Sequence, residues 1–277
     1  MTSDATDDNA LNEAWLARFS GFARLYGSAA IRWLQQSHFM VVGIGGVGSW
    51  SAEYFARSGV GEITLIDNDT ISASNINRQI HALESSLQQV KVAGMAERIL
   101  EINPACRINI RQQRLTVENI PQLIPLDNSL KLTGVVDAID SVSDKAVLIY
   151  HCRRNKIPLI TVGGAGGLID PTSITITDLS RTFNDPLASR VRARLRRDYG
   201  FSRNTERRFG VECVFSAEQP RYPQADGTIS HCKPSVDGLR LDCNYGYGAS
   251  SGITAIFGMM AASRLLNQTY SRWSRTA

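Results

Sequence analysis

What is missing narrows the field first. The 277 residues contain no C-x-x-C pair, and the five cysteines (Cys106, Cys152, Cys213, Cys232, Cys243) are odd in number and widely spread. A zinc site of the usual spacing is therefore not expected, and the thiols suit a reducing, cytoplasmic compartment. The first ten residues carry Asp4, Asp7 and Asp8 and no base, which is unlike a secretory leader; residues 1–10 read as a disordered tail. Long apolar runs are scarce. The uncharged stretch 243–263 is Gly, Ala, Ser and Tyr with few Leu or Ile. It is weak for a spanning segment and reads as a buried helix packed through small residues, with membrane association through 243–263 as the alternative. Internal repeats and low-complexity linkers are absent too.

What remains is ordinary globular composition, 43% apolar and 20% charged, with a net charge of +4. The positive charge is local. Residues 181–208 hold nine arginines against the three acids Asp185, Asp198 and Glu206, an excess larger than the net charge of the whole chain. The rest is slightly acidic, so an anionic partner for this one segment is favoured.

Apolar spacing predicts a helix over 11–34. "HFMVVGIG", "EITLIDND", "RINIRQQ", "GVVDAID" and "PLITVGGAGG" read as strands, separated by helix-like segments at 50–57, 87–102 and 144–155. "SITITDL" alternates and reads as an antiparallel addition. Alternating strands and helices predict an α/β fold, a Rossmann-like, doubly wound, mainly parallel sheet with an Arg-rich insertion. One domain is expected over 11–277. Its nucleotide-binding core spans about 36–180, the Arg-rich insertion about 181–240, and a C-terminal helical return 241–277.

"VVGIGGVGSW" places Gly43, Gly45 and Gly48 in a G-x-G-x-x-G turn between a strand and a helix, with Gly46 inside it. Glycines let backbone N–H groups approach phosphate oxygens at a helix N-terminus. Asp67, at the end of the next strand, stands where an acid meets a ribose. These features alone say NAD. "DNDTISASNINRQ" (67–79) argues for a nucleoside triphosphate instead, because it adds Asn75, Asn77 and Arg78. Lys91 and the strand-end Asp140 extend a set suited to phosphates and Mg²⁺. Taken singly, Lys91 could be a solvated helix lysine, Arg78 a loop ion pair and Asp140 a helix N-cap.

With "GIGGVGS", "DNDTISASNINRQ", Lys91 before "INP" and "DAIDSVSDK", the chain resembles the ATP-dependent adenylating enzymes that include the molybdopterin and thiamin sulfur-carrier activators and the ubiquitin-activating enzymes. The resemblance implies that Gly43, Gly45, Gly46 and Gly48 lie along ATP and that Asp67 binds the ribose with Asp69 nearby. It implies that Asn75, Arg78 and Lys91 hold phosphates, that Asp140 holds Mg²⁺, and that Arg78, Lys91 and Asp140 are catalytic. A monovalent cation beside the glycine-rich turns is a further candidate. Some members use a partner subunit's arginine in an R-[YF]-x-R-Q pattern. Here "RFSGFARLYG" puts Gly21 at the second arginine, which leaves Arg18 or Arg24 as substitutes.

"NRQIHA", "VGGAGGLIDPTSITITDLSRTFNDPLASRVRARLRR" and "VECVFSAEQP" are similar to the branch of that family that dehydrates threonylcarbamoyladenosine in tRNA. That similarity implies carboxylate adenylation, ring closure and AMP release. It also gives the arginine run a use on RNA phosphates, through Arg190, Arg192, Arg194, Arg196, Arg197, Arg203, Arg207 and Arg208. Family members are usually homodimers, and relatives handle sulfur, so a homodimer and a cysteine desulfurase or sulfur-acceptor partner are expected. Two rival functions are adenylation of the C-terminus of a ubiquitin-like carrier and a non-catalytic nucleotide-binding scaffold for sulfur transfer.

Overall fold

The computed structural model describes residues 4–127, 129–224, 226–233 and 248–276. In chain order its elements are α1 (Asp4–Tyr26), α2 (Ala29–Gln36), β1 (His38–Val42), α3 (Gly48–Arg57), β2 (Glu62–Ile66), α4 (Lys91–Ile102), β3 (Arg107–Arg111), α5 (Ile120–Leu123), β4 (Gly134–Asp137), α6 (Val142–Arg154), β5 (Leu159–Val162), β6 (Ile174–Asp178), α7 (Pro186–Asp198), β7 (Glu212–Ser216), β8 (Tyr222–Pro223), β9 (Ile229–Ser230) and α8 (Ser251–Trp273).

Seven strands form one sheet in the order β3-β2-β1-β4-β5-β7-β6. All pair in parallel except β6, which runs antiparallel to β7. This is the doubly wound sheet expected, with the antiparallel addition at "SITITDL". All five β1 residues are buried, as a central parallel strand requires. Phe39 and Val41 face the layer that includes Trp33, Phe55 and Phe257, while Met40 and Val42 face Val147, Leu148 and Cys152 of α6. Helices therefore cover both faces. At the edge, β3 exposes Arg107 and Arg111, polar ends that discourage pairing with another chain.

Several expectations change. Residues 4–10, read as a disordered tail, belong to α1. The single helix expected over 11–34 is two, because Gly27 adopts φ +85° and turns the chain. The helix read from residue 87 begins at Lys91. Residues 88–90 are held against residues 70–71 instead: Gln88, at φ +70°, donates its N–H to the Ile71 carbonyl, the Ile71 N–H donates to the Gln89 carbonyl, and Thr70 bridges Val90. Strand β7 was not read as a strand. The stretch 243–263 is partly outside the described residues; from Ser251 it is α8, which buries Phe257, Ala261, Ala262, Leu265 and Leu266. Gly258 lets α8 approach α3 so closely that a Cβ there would stand 2.8 Å from Trp50 Cβ. Among the described residues no helix is long and apolar enough to cross a membrane.

Candidate functional site

Where β1 stops, the strand order reverses between β1 and β4, and the two strand ends lie side by side with Val42 opposite Asp137. Open parallel sheets bind ligands at such a switch point. The glycine turn fills it. Gly43 has φ +88°, and a Cβ there would lie 2.8 Å from the carbonyl oxygen of Ala138. A Cβ on Gly48 would overlap the Gly43 carbonyl, and one on Gly46 would sit 3.1 Å from Thr254 Cγ2. Gly43 and Gly48 are demanded by the backbone packing of the turn itself, and Gly46 leaves room for the side chains of Thr254 and Arg78. Gly45 differs, since nothing lies within 4 Å of its Cβ position: it faces open space beside the N-terminus of α3.

Asp67 fastens this turn to the end of β2. Its Oδ2 accepts the Ile44 N–H at 2.6 Å and its Oδ1 the Asp69 N–H at 2.9 Å. A carboxylate has about four acceptor positions, so capacity remains for a ribose hydroxyl. Asn75 is buried and works on its own loop, where Oδ1 accepts the Ser72 N–H at 3.2 Å. Its role here is to shape the loop that presents Arg78.

Arg78 is clamped by its backbone. Its carbonyl accepts from Trp50 Nε1 of α3 at 3.1 Å and from Thr254 Oγ1 of α8 at 3.2 Å. The stem runs beside Gly46, with Cδ 3.4 Å from that glycine's Cβ position. At its tip, Nη1 donates to Ser74 O at 2.7 Å and to Asn77 Oδ1 at 3.0 Å, both neutral acceptors. Lys91 opens α4 and is buried. Its Nζ lies 2.8 Å from Asp69 Oδ2, whose side chain is 60% exposed. Asp69 is thus first a partner of Lys91. Asp140 is exposed on the turn after β4. It is not a helix cap, because Ser141 takes the N-cap position of α6.

The contacts therefore join Gly43, Gly46, Asp67, Arg78 and the Ala138 turn into one edge, with Asp69 and Lys91 paired on the continuing loop. Sequence reasoning missed the buried pair beneath it, Asp137 with Lys145 at 3.0 Å. A lysine four residues into a helix reads as solvated, and only its 1% exposure shows otherwise.

The arginine run divides. Arg190, Arg197, Arg203, Arg207 and Arg208 are exposed, whereas Arg192, Arg194 and Arg196 are half-buried. Arg192 donates to Thr182 Oγ1, Arg194 pairs with Asp198 at 3.1 Å, and Arg196 donates to Ser202 O and lies over the Phe209 ring. The stripe Ala188, Val191 and Leu195 packs α7 into a core with Phe209 and Phe215. Three of the eight arginines expected on RNA thus have structural duties. Of the four described cysteines, Cys106, Cys152 and Cys213 are buried and Cys232 is exposed; Cys243 lies outside the described residues. Burial pushes the Cys106 thiol up to about 12 and raises those of Cys152 and Cys213 as well.

A mainly parallel doubly wound sheet with a glycine turn, a helix N-terminus and Arg78 beside that turn at its switch point defines an α/β nucleotide-binding protein. The ThiF family model matches residues 19–270, and the chain belongs to the ThiF family. It is 49% identical over 266 residues to the tRNA threonylcarbamoyladenosine dehydratase of Escherichia coli (strain K12), spanning 96% of this chain and 98% of that one. To the dehydratase of the same name from Haemophilus influenzae it is 44% identical over 257 residues, 93% of this chain and 95% of the other. Among solved structures it superposes on one described as TcdA (CsdL) with a TM-score of 0.86 at 48% identity, covering 95% of this chain and 97% of that one. The E. coli dehydratase in complex with ATP gives 0.82 at 45% identity, covering 95% and 98%.

Proposed function

We propose that this protein is an ATP-dependent enzyme that dehydrates N6-threonylcarbamoyladenosine next to the anticodon of tRNA. The end-to-end similarity to dehydratases of that name carries this reading, because it takes in the Arg-rich insertion as well as the nucleotide-binding core.

In the reaction, an oxygen of the modification's carboxylate attacks the α-phosphorus of ATP and pyrophosphate leaves. The ureido nitrogen or carbonyl oxygen of the same group then attacks the acyl carbon, and AMP departs with the original carboxylate oxygen. The net change is loss of one water from the nucleoside. The first step brings two anions together, so fixed positive charge is what the protein must supply. Arg78 supplies it with a guanidinium held by neutral acceptors, on a stem that runs beside Gly46. Lys91 supplies a second cation, and Asp69, largely in water, is the anion a triphosphate displaces from it. Asp67 takes the ribose with its remaining acceptor capacity. Ring closure is intramolecular, so holding the adenylate in place provides much of the rate, with effective molarities of roughly 10⁵ M or more.

Mg²⁺ suits these residues. It keeps several waters and takes one or two carboxylates plus phosphate oxygens, and Asp140 is an exposed carboxylate at the rim of the turn. When bound, it neutralises phosphate charge. The exposed Arg190, Arg197, Arg203, Arg207 and Arg208 follow the RNA backbone. The molecule works as a cytoplasmic homodimer. The half-buried Tyr54, Ile176, Met259 and Met260 around a groove of about 450 Å³ supply an apolar surface for the second copy. A sulfur-handling partner would meet Cys232.

The test is AMP release from ATP with and without tRNA carrying the modification. AMP formed only with modified tRNA, together with a nucleoside lighter by one water, supports the reading. Pyrophosphate exchange driven by a diglycine-tailed carrier and not by tRNA would replace it with the carrier-activating function. Arg78→Ala is expected to abolish AMP release while the protein stays folded, and wild-type turnover would remove Arg78 from the mechanism.

A further inference from the structure

Directly under the switch point lies a charge cluster that the reaction above does not use. Lys145, in the first turn of α6, is 1% exposed and Asp137, the last residue of β4, is fully buried. The Lys145 ammonium has three donors and three acceptors around it: Asp137 Oδ1 at 3.0 Å, the Asp137 carbonyl at 3.2 Å and the Ile139 carbonyl at 2.9 Å. Asp137 Oδ2 accepts from Thr161 Oγ1 of β5 at 2.6 Å. Burial raises the Asp137 pKa, and Lys145 opposes that rise. Asp185, also buried, acts electrostatically on the same ammonium while its carboxylate accepts the N–H groups of Gly164 and Ala188.

Ion pairs this deep are poor sources of stability. Desolvation costs several kcal/mol per ion, and apolar replacements often serve as well. What Lys145 does specifically is gather the carbonyl that ends β4 and one from the short turn that follows it. Residues 138–140 form that turn. Ala138 walls the glycine turn, 2.8 Å from the Gly43 Cβ position and 3.2 Å from that of Gly48, and Asp140 stands two residues further on. The outer side is held by Arg114, which pairs with Asp144 at 2.6 Å and donates to Ser141 Oγ at 3.1 Å.

We propose that Lys145 is a positioning residue for nucleotide activation: by tying the carbonyls of Asp137 and Ile139 to the Asp137 carboxylate, it fixes the 138–140 turn and thereby the direction in which Asp140 meets the ATP-bound cation. The inference rests on the proposed role of Asp140. It places no substrate contact on Lys145, which acts only through the turn. It separates the two functions of that turn: packing against the glycines, which Ala138 performs, and presentation of a carboxylate, which needs the turn held in one shape.

The experiment measures ATP affinity by equilibrium dialysis, in Mg²⁺ and in chelator, alongside the melting temperature. The variant is the pair Lys145→Met with Asp137→Asn, which removes both charges of the pair together, while Asp185 keeps the N–H groups of Gly164 and Ala188. It is expected to melt close to the wild type and to bind ATP normally in chelator. In Mg²⁺ its affinity should fall by about 10- to 100-fold, as for other residues that orient a metal's ligands. Added to Asp140→Ala, the pair should change Mg²⁺-dependent binding no further, because both act on one interaction. Wild-type Mg²⁺-dependent affinity in the folded pair, with Asp140→Ala defective, overturns the role of Lys145 alone. Wild-type behaviour of Asp140→Ala overturns both this role and the proposed cation site. Should the pair fail to fold, Lys145→Arg takes its place. A weakened Mg²⁺ response supports the proposal, and an unchanged one overturns it.

Discussion

His81 makes the protein acid-sensitive in a calculable way. It sits between Arg78 and Lys91 in sequence, is 3% exposed, and neither ring nitrogen has a hydrogen-bond partner among the described residues. Burial, then Lys91 and Arg98, lower its pKa to about 4 from 6.5. The folded protein therefore keeps the ring neutral where the unfolded chain protonates it. Stability is full above pH 6.5 and falls as the pH drops towards 4, because only the unfolded state binds the proton in that window. From pH 7 to pH 5 the linkage is worth about 2 kcal/mol, and the full gap about 3 kcal/mol. The assay is urea unfolding at both pH values for the wild type and for His81→Phe, which retains a ring of similar shape and cannot titrate. The variant should lose about 2 kcal/mol less than the wild type over this interval. Equal losses would refute the argument, since they would mean that the ring titrates alike in both states. The ring also lines a cavity of about 620 Å³ with Arg98 and Gly94 of α4, so acid should loosen the segment leading into Lys91 before the sheet itself.

Three further outcomes are expected. Gly48→Ala should destabilise by about 1–3 kcal/mol or more in thermal unfolding, because its Cβ overlaps the Gly43 carbonyl; Gly45→Ala should keep the melting temperature and weaken ATP in a binding titration. Replacing Arg203, Arg207 and Arg208 by Glu should lower tRNA affinity in filter binding and flatten its salt dependence by about 0.7–0.9 for each phosphate no longer neutralised, with ATP affinity unchanged. An unaltered salt slope would take those arginines off the RNA. Iodoacetamide at neutral pH should label Cys232 rapidly and leave Cys106, Cys152 and Cys213 untouched, read by mass spectrometry, while tRNA-dependent AMP release continues.

The parts of this molecule that were legible in its sequence are those governed by local rules. Strands β1, β4 and β5 show as apolar runs and β2 and β3 as alternation, and the glycine spacing marks the switch point because backbone crowding there tolerates no other residue at Gly43 or Gly48. The unread parts are set by distant neighbours. Strand β7 is short, and its place between β5 and β6 is decided by pairing with residues far along the chain. Lys145 looks like a surface lysine until its three acceptors are seen, two of them carbonyls that no sequence pattern announces. The arginine run misled in part for a related reason. Charge counting cannot tell Arg197, exposed and paired with its neighbour Asp198, from Arg192 and Arg196, whose stems and guanidinium groups complete the packing of α7.

The carbonyl of Arg78 is gripped from one side by α3, early in the chain, and from the other by Thr254, on the last helix. On the ribosome these two partners appear far apart in time. The glycine turn, Asp67 and Lys91 emerge together, yet the Arg78 carbonyl lacks one of its two donors until α8 has docked. A nascent chain halted before Ser251 would carry the glycine turn and Arg78 with that carbonyl held by Trp50 alone. Docking of α8 is therefore the step that completes the clamp on the Arg78 loop.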